Sequence, residues 1–497
     1  MGIELADSID SKEKPLSQMR IAITAIDLEQ AEHRGIAYLS KGLISSLSDL
    51  GAEVYLLTGF YGRRLNPLMK FLMSAKSVQE VDCADILDQF CDPLSRLKRT
   101  NMKEDTNLEE DLITKLVNKV IKFKNGSQMI IELIFSVFKF QLKRGRYSGR
   151  LIKLSNFENS PYFGQERVDY LSNISGFLSI RNIYNLSTLR SKRLLLKAPR
   201  IDLRKFKIDL LITSCPLSID VIRNKKNSIG CLQLIMDFIP LSFSKHPDHP
   251  FGFYNRLNDA MQTKNCFISK ASRDKICLLL EKSSSNNDKN IIYPIPSLNI
   301  NKLNLASRVK NLRGLSTKYI LFNSSVVPRK NLHFLINIFK SSEIANQGFD
   351  LCVAGKIHDD KYGQDIRRMC EGNPNIKLLD YVDEIEKAWL FLNAYAFVSP
   401  SCVEGFGIPV LDAASLGVRV LASDLPSHKE IAHLVQENEN FRLLDLSNVD
   451  NWINEFKFLN NLNLSMDVEI KLRIKRYESC FKALKDNFEK SIVDLVI

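Results

Sequence analysis

From residue 319 to residue 422, short continuous apolar runs alternate with stretches of helical spacing. Tyr319-Ile320-Leu321-Phe322, Asp350-Leu351-Cys352-Val353-Ala354-Gly355, Ile376-Lys377-Leu378-Leu379, Ala396 to Ser399 and Val420-Leu421-Ala422 have the length and continuity of buried strands. Between them, Leu332, Leu335, Ile336 and Phe339 recur at three and four residues. Residues 360–371 suit a helix, Asp383 caps another that runs to Phe391, and Pro409 to Leu416 forms a third that Gly417 stops. Strands alternating with helices of this length predict a parallel, doubly wound sheet. In such sheets ligands bind at the carboxyl ends of the strands.

The N-terminal half repeats the pattern less regularly. Met19 to Ile26 predicts a first strand. Gly35-Ile36-Ala37-Tyr38 opens a helix with Ile36, Leu39, Leu43, Ile44 and Leu47 at helical spacing, and Gly51 ends it. Val54-Tyr55-Leu56-Leu57, Leu210-Leu211-Ile212-Thr213-Ser214 and Leu232-Gln233-Leu234-Ile235 read as further strands. A chain of 497 residues is too long for one core and predicts two large domains. The polar run Ser283-Ser284-Ser285-Asn286-Asn287-Asp288, followed by Pro294 and Pro296, places the linker between about 281 and 310.

Two segments carry chemistry. The first is Ser399-Pro400-Ser401-Cys402-Val403-Glu404-Gly405-Phe406-Gly407-Ile408-Pro409-Val410-Leu411-Asp412-Ala413-Ala414. Gly405 and Gly407 let the backbone turn sharply and let a ligand approach its N–H groups. Pro409 fits a first helical turn, where a missing N–H has no helical partner. The positive end of the helix favours a phosphate or a partly charged oxygen. Glu404 and Asp412 flank this loop, and a carboxylate is a natural acceptor for a vicinal diol. The second segment is Pro328-Arg329-Lys330-Asn331, which follows the strand at 319 and opens the helix that carries Leu332, Leu335, Ile336 and Phe339. Two cations at a helix N-terminus oppose its dipole unless an anion sits between them. Arg offers a planar fork for phosphate oxygens and Lys a mobile point charge.

The Glu-Gly-Phe-Gly-x-Pro-x-x-acidic-Ala segment resembles the E-x7-E signature of the retaining, nucleotide-sugar-dependent glycosyltransferases of family 4. Pro328-Arg329-Lys330-Asn331 is similar to that family's donor-pyrophosphate segment, and the two follow the family's order. The resemblance implies an α/β GT-B fold, with two Rossmann-like domains facing across a cleft. It implies catalytic roles for Glu404, Arg329 and Lys330: the first would hold hydroxyls of the transferred sugar, the other two the pyrophosphate. It implies donor-binding roles for Gly35, in the Arg34-Gly35-Ile36 turn, for the backbone at Phe406, Gly407 and Ile408, for Asp412 on the ribose diol, and for Asp237. Asp237 lies in Met236-Asp237-Phe238-Ile239-Pro240, similar to a family segment that usually begins with His; it can equally anchor its own loop. Phe267-Ile268-Ser269-Lys270-Ala271-Ser272-Arg273 resembles a structural strand-to-helix passage of the family. The chain departs from the family's pattern at Asp412 (usually Glu), Ser324 (often Gly), Val327 (often Glu), Ala37 (usually Gly) and Met236.

On this reading residues 1–18 are a polar tail and 19–300 an acceptor domain, with an atypical basic helical insertion at 64–205. Residues 310–466 form the nucleotide-sugar domain, and a terminal helix at 467–497 packs back on the N-terminal domain. The expected reaction is retaining, needs no metal or other cofactor, and moves a hexose from a nucleotide sugar to a glycan or lipid-linked acceptor of envelope polysaccharide or lipopolysaccharide synthesis. A non-catalytic GT-B subunit and a GT-B sugar-nucleotide epimerase stay open as alternatives. A nicotinamide dehydrogenase fits poorly, because Gly405-Phe406-Gly407 continues with Val410 and no acidic residue ends the next strand as required.

The net charge of +12 is uneven. Residues 111–150 hold nine Lys/Arg against two Asp/Glu, and residues 181–207 nine against one. The first stretch includes the apolar run 129–140 followed by Lys143, Arg144 and Arg146, a pattern suited either to a solvated face over a core helix or to an anionic membrane surface. Nucleic acid is not an expected partner, since aromatic residues are few there and no binding motif is present. The ten cysteines form no C-x-x-C pair and no cluster with His at zinc spacing. Together with an N-terminus lacking an apolar signal core and no apolar run of spanning length, this predicts a cytoplasmic protein, peripheral at most on the inner face of the cell membrane.

Overall fold

A computed structural model describes residues 14–497 apart from 31, 32, 34, 61–77, 92–148, 155, 156, 196, 224–229, 243–248, 282–289, 437, 438 and 463. The apolar run at 129–140 and most of the basic stretch 111–150 lie outside the described residues. The chain divides into two compact units. One holds the described residues up to Leu234, with Phe251–Asn265 and Ile492–Ile497; the other holds Ile235–Pro250 and Cys266–Ser491.

The first unit is built on a seven-stranded sheet. Its strands are β1 (Arg20–Thr24), β2 (Glu53–Thr58), β3 (Arg150–Lys153), β4 (Gly176–Ser179), β6 (Leu210–Thr213), β8 (Cys231–Ile235) and β9 (Lys264–Phe267), in the order β3-β4-β2-β1-β6-β8-β9. The pairs β1–β2, β1–β6, β2–β4 and β6–β8 are parallel, and β3 runs antiparallel to β4 at the edge. Apart from that edge strand, this is the doubly wound order 3-2-1-4-5-6. Helix α1 (Gly35–Asp49) connects β1 to β2 and buries Leu39, Leu43, Ile44 and Leu47, the face its spacing predicts. A small parallel pair, β5 (Arg200–Asp202) and β7 (Asp220–Ile222), stands apart from the large sheet.

Residues 64–205 are therefore not an insertion throughout. They supply β3 and β4, and β4 pairs with β2 residue for residue from Tyr55↔Gly176 to Thr58↔Ser179. All four positions of β4 are buried, as a sheet interior requires. The basic residues that obscured this segment are exposed on its later part, at Lys192, Arg193, Lys197 and Arg200.

The second unit carries six strands, β10 (Lys318–Asn323), β11 (Phe349–Ala354), β12 (Ile376–Asp380), β13 (Ala396–Ser399), β14 (Arg419–Ser423) and β15 (Phe441–Leu444). All are parallel, in the order β12-β11-β10-β13-β14-β15, again 3-2-1-4-5-6. Its helices include α2 (Lys270–Leu279), α3 (Ile300–Ala306), α4 (Leu332–Ser341), α5 (Glu384–Asn393), α6 (Ile408–Leu416), α7 (Pro426–Leu434) and most of α8 (Met466–Val496). The core packs Leu332, Leu335, Ile336 and Phe339 of α4 with Phe349, Tyr395 and Trp452.

Two boundaries differ from the sequence reading. The expected linker at 281–310 is only partly a connector: α3 lies inside it, and Leu298 accepts a hydrogen bond from the Tyr477 hydroxyl at 2.7 Å. The terminal helix does not belong to one unit. Most of α8 lies with the second, while Ile492–Ile497 cluster with the first, where Lys264 Nζ donates to the Leu495 carbonyl at 2.6 Å.

Candidate active site

In the second sheet the strand order reverses between β10 and β13, which are direct neighbours. Connections leave these two strands in opposite directions, so a crevice opens at their carboxyl ends. Both motifs arrive there. After β10, Pro328–Lys330 form one tight 3-10 turn. Asn331 then adopts a left-handed conformation, φ +57°, and α4 begins at Leu332. The basic pair thus precedes the helix rather than opening it, because the left-handed Asn331 separates turn from helix. After β13, Gly407 at φ +117° starts α6, with Pro409 in its first turn. The two loops are joined by the Cys402 amide, which donates to the Arg329 carbonyl at 2.8 Å.

Glu404 is the centre of the charge arrangement. Lys330 Nζ donates to its Oε1, Arg329 Nη1 to its Oε2 at 3.2 Å, and Ser401 Oγ to Oε1 at 2.8 Å. Ser401 is fixed in turn, its carbonyl accepting from Ser423 Oγ at 2.6 Å. Burial alone would raise the Glu404 pKa, but Lys330 and Arg329 outweigh it and hold the carboxyl at about 2. Burial lowers the Lys330 ammonium's pKa, against the pull of Glu404. Lys330 is buried, while Arg329 keeps about a quarter of its side chain exposed. Lys330, Glu404, Ser324, Ser401 and Gly407 line one shared pocket.

The glycine loop is locked from behind. A Cβ on Gly405 would stand 2.6 Å from the Met236 carbonyl and from the Asp237 Cβ, so only glycine fits. The Gly405 carbonyl accepts from Ser269 Oγ at 2.7 Å and Ser272 Oγ at 3.0 Å, both at the start of α2. Phe406 is buried, with its ring 6.1 Å from that of Tyr293. Ile408 opens α6 and is half-buried.

Residues 305–468 match the model of the family described as glycosyl transferases group 1. This part of the chain is thus similar to the group 1 glycosyl transferases. The matched residues contain Arg329, Lys330, Glu404 and α6 together. A curated relative, O-antigen chain mannosyltransferase B of Escherichia coli, is 32% identical over 116 residues, 23% of this chain and 30% of that protein. The chain thus matches about a third of that relative's length. Among solved structures, Anabaena HepE in complex with UDP is similar over 95% of this chain and 99% of that one, at 12% identity and TM-score 0.52. Sucrose-phosphate synthase of Thermosynechococcus elongatus is similar over 95% and 98%, at 12% identity and TM-score 0.51. These likenesses show the GT-B fold.

Not every expected residue reaches the pocket. Asp412 is fully buried, and both of its oxygens are taken: the Ser297 amide donates to Oδ1 at 2.5 Å and Ser297 Oγ to Oδ2 at 2.6 Å. Lys387 Nζ donates to Ser297 Oγ at 3.0 Å, completing a closed network. Both carboxylate oxygens of Asp412 are thus directed at Ser297. Asp237 accepts from the Ile239 amide at 3.1 Å, a loop-anchoring bond, and also lies near enough to Lys330 to favour its charge. Gly35 opens α1 in the first unit and is exposed.

Sequence reasoning missed Ser297, Lys387, Ser401 and His428. Ser401 was inside the motif but is too common a residue type to stand out. His428 had a usable signal: Ser423-Asp424-Leu425-Pro426 is another strand end running into a proline-opened helix at the same sheet edge.

Proposed function

We propose that the protein is a retaining, metal-independent glycosyltransferase that moves a hexose from a nucleotide sugar to a glycan or lipid-linked acceptor in envelope polysaccharide synthesis. One observation carries the reading: Arg329 and Lys330 meet the start of α6 and Glu404 at the reversal point of the second sheet. Cations and an exposed helix N-terminus at one point are complementary to a diphosphate. Arriving phosphates would draw Arg329 and Lys330 from Glu404, freeing its oxygens for sugar hydroxyls. In the transfer, the bond from the anomeric carbon to the phosphate oxygen breaks and one to the acceptor oxygen forms on the same face. The acceptor's proton passes to the departing phosphate, whose growing charge Arg329 and Lys330 stabilise. The mannosyltransferase named among the relatives supports a mannosyl donor as the first to test.

Asp412, held by Ser297, favours one second reading, a non-catalytic subunit that lacks a ribose contact. Thermal shifts with UDP-, GDP-, ADP- and dTDP-sugars and the free nucleotides separate the two. A shift with one base, lost in Lys330→Ala, supports the enzyme, and no shift in a folded sample supports the subunit. Incubating the donor found in this way with envelope glycan acceptors, and determining the anomeric configuration of the product, tests retention; a chelator leaving the rate unchanged tests metal independence.

A peripheral membrane location is proposed on the exposed group Lys192, Arg193, Leu194 and Lys197, with Leu194 66% exposed. No helix among the described residues is long and apolar enough to cross a membrane. Flotation with anionic vesicles, reversed by salt, is the expected result.

A further inference from the structure

His428 sits in α7, fully buried, on the helix that follows β14. Its Nδ1 lies 2.8 Å from the Ser423 carbonyl. A carbonyl only accepts, so Nδ1 carries a proton and donates. In the neutral ring Nε2 is then a bare acceptor, and among the described residues it has no hydrogen-bond partner. Such a buried orphan atom is costly and calls for a role.

The position supplies one. A Cβ built on Gly407 would lie 3.4 Å from both Cδ2 and Nε2 of His428. The edge of the ring that holds the orphan nitrogen therefore packs on the residue that starts α6, at the anion-favouring end of a nine-residue helix. The charged groups acting on the ring come from three loops: Glu404 after β13, Lys330 after β10 and Asp424 after β14. Burial keeps the ring's pKa below its ordinary value, Lys330 lowers it further, and Glu404 and Asp424 raise it. A diphosphate at the start of α6 would add negative charge to this balance and supply an acceptor for a second N–H.

We propose that His428 takes up one proton from solvent when a nucleoside diphosphate occupies the start of α6, converting Nε2 from an unpaired acceptor into a donor toward the ligand. The neutral imidazole gains a proton and one positive charge, and no bond of the ligand changes. His428 is thus a positioning residue for the leaving group. This rests on the diphosphate site proposed above.

The test is titration calorimetry of the full chain with UDP, GDP, ADP and dTDP, in two buffers of very different ionisation enthalpy, at about pH 7, where a terminal phosphate is largely ionised. The dependence of the heat on the buffer counts protons. The expected result is that wild type takes up close to one proton that His428→Gln does not. Its affinity should weaken as pH rises, by at most about tenfold per unit for one linked proton, while the variant's stays flatter. A merely structural role would move the affinity of the variant but not the proton count. Equal proton counts in both proteins, with tight binding retained, would overturn the inference and leave the nucleotide site standing. If no nucleotide binds to folded wild type, the site reading falls and this inference with it. Should His428→Gln not fold, histidine-labelled NMR of wild type decides: one of the seven histidines must move to its charged shift on adding nucleotide. If none does, the inference is wrong.

Discussion

Removing the Lys330 ammonium takes away the cation that meets Glu404 inside the protein and leaves that carboxylate with Arg329 and Ser401. Lys330→Ala should lower turnover by about 100-fold or more, the cost of deleting one oriented charge or donor at a reacting centre, with nucleotide binding weakened alongside; steady-state kinetics check it. Glu404 also ties stability to pH. Its folded pKa of about 2 lies below the ordinary 4.5, so its contribution is complete above about 4.5 and disappears as pH falls through about 2. Glu404→Gln should therefore melt below wild type at neutral pH, and the gap should close as the solution is acidified through that window, as read by calorimetry. Asp412→Ala leaves the Ser297 amide and hydroxyl without their acceptor and should cost about 1–3 kcal/mol in urea denaturation. At this scale the sequence was a good guide to which residues meet and a poor guide to where the Asp412 carboxylate points. Glu404, Arg329 and Lys330 come together because motif spacing encodes strand ends. The direction of the Asp412 carboxylate depends on Ser297, 115 residues away, which no local pattern reveals.

Elements were legible wherever apolar periodicity was the only force at work. The run at Ala396 to Ser399 is β13 to the residue, and the helix at 384–393 starts with the capping box that Asp383 promises, its side chain accepting from the Ile385 and Glu386 amides. Asp383→Ala should lower stability by about 1 kcal/mol without touching the site, a difference readable from denaturation midpoints. The start of α4 was misplaced because Asn331 takes a left-handed turn that its identity permits but does not demand. The glycine loop shows the opposite case, where one element depends on another. Gly405→Ala would drive a methyl into the Met236–Asp237 backbone; overpacking of this kind costs about 1–3 kcal/mol. Because the displaced loop carries Glu404, activity should fall more than stability does, which paired kinetic and thermal measurements would show.

For the whole molecule, the doubled 3-2-1-4-5-6 order follows from alternating strands and helices, and the second sheet was plain from its regular spacing. The first sheet was legible at β1, β2, β6 and β8 but not at β4, which follows a basic stretch that hid its membership, and pairing across such a distance is set by register rather than by local composition. The terminal helix adds a coupling of its own. Ile492, Leu495 and Val496 are buried with the first unit, so ending the chain at Ser491 removes three apolar anchors, each worth about 1.5–3 kcal/mol when fully buried. Hydrogen exchange should then quicken in β1, β2 and β6 while β10, β11 and β13 keep their protection. The same division has an optical side. The chain has two tryptophans, Trp389 and Trp452, and both belong to the second unit. Indole emission excited at the red edge therefore reports on the half that carries Glu404 and is blind to melting of the other half, so circular dichroism and fluorescence, recorded on one sample, observe different parts of this protein.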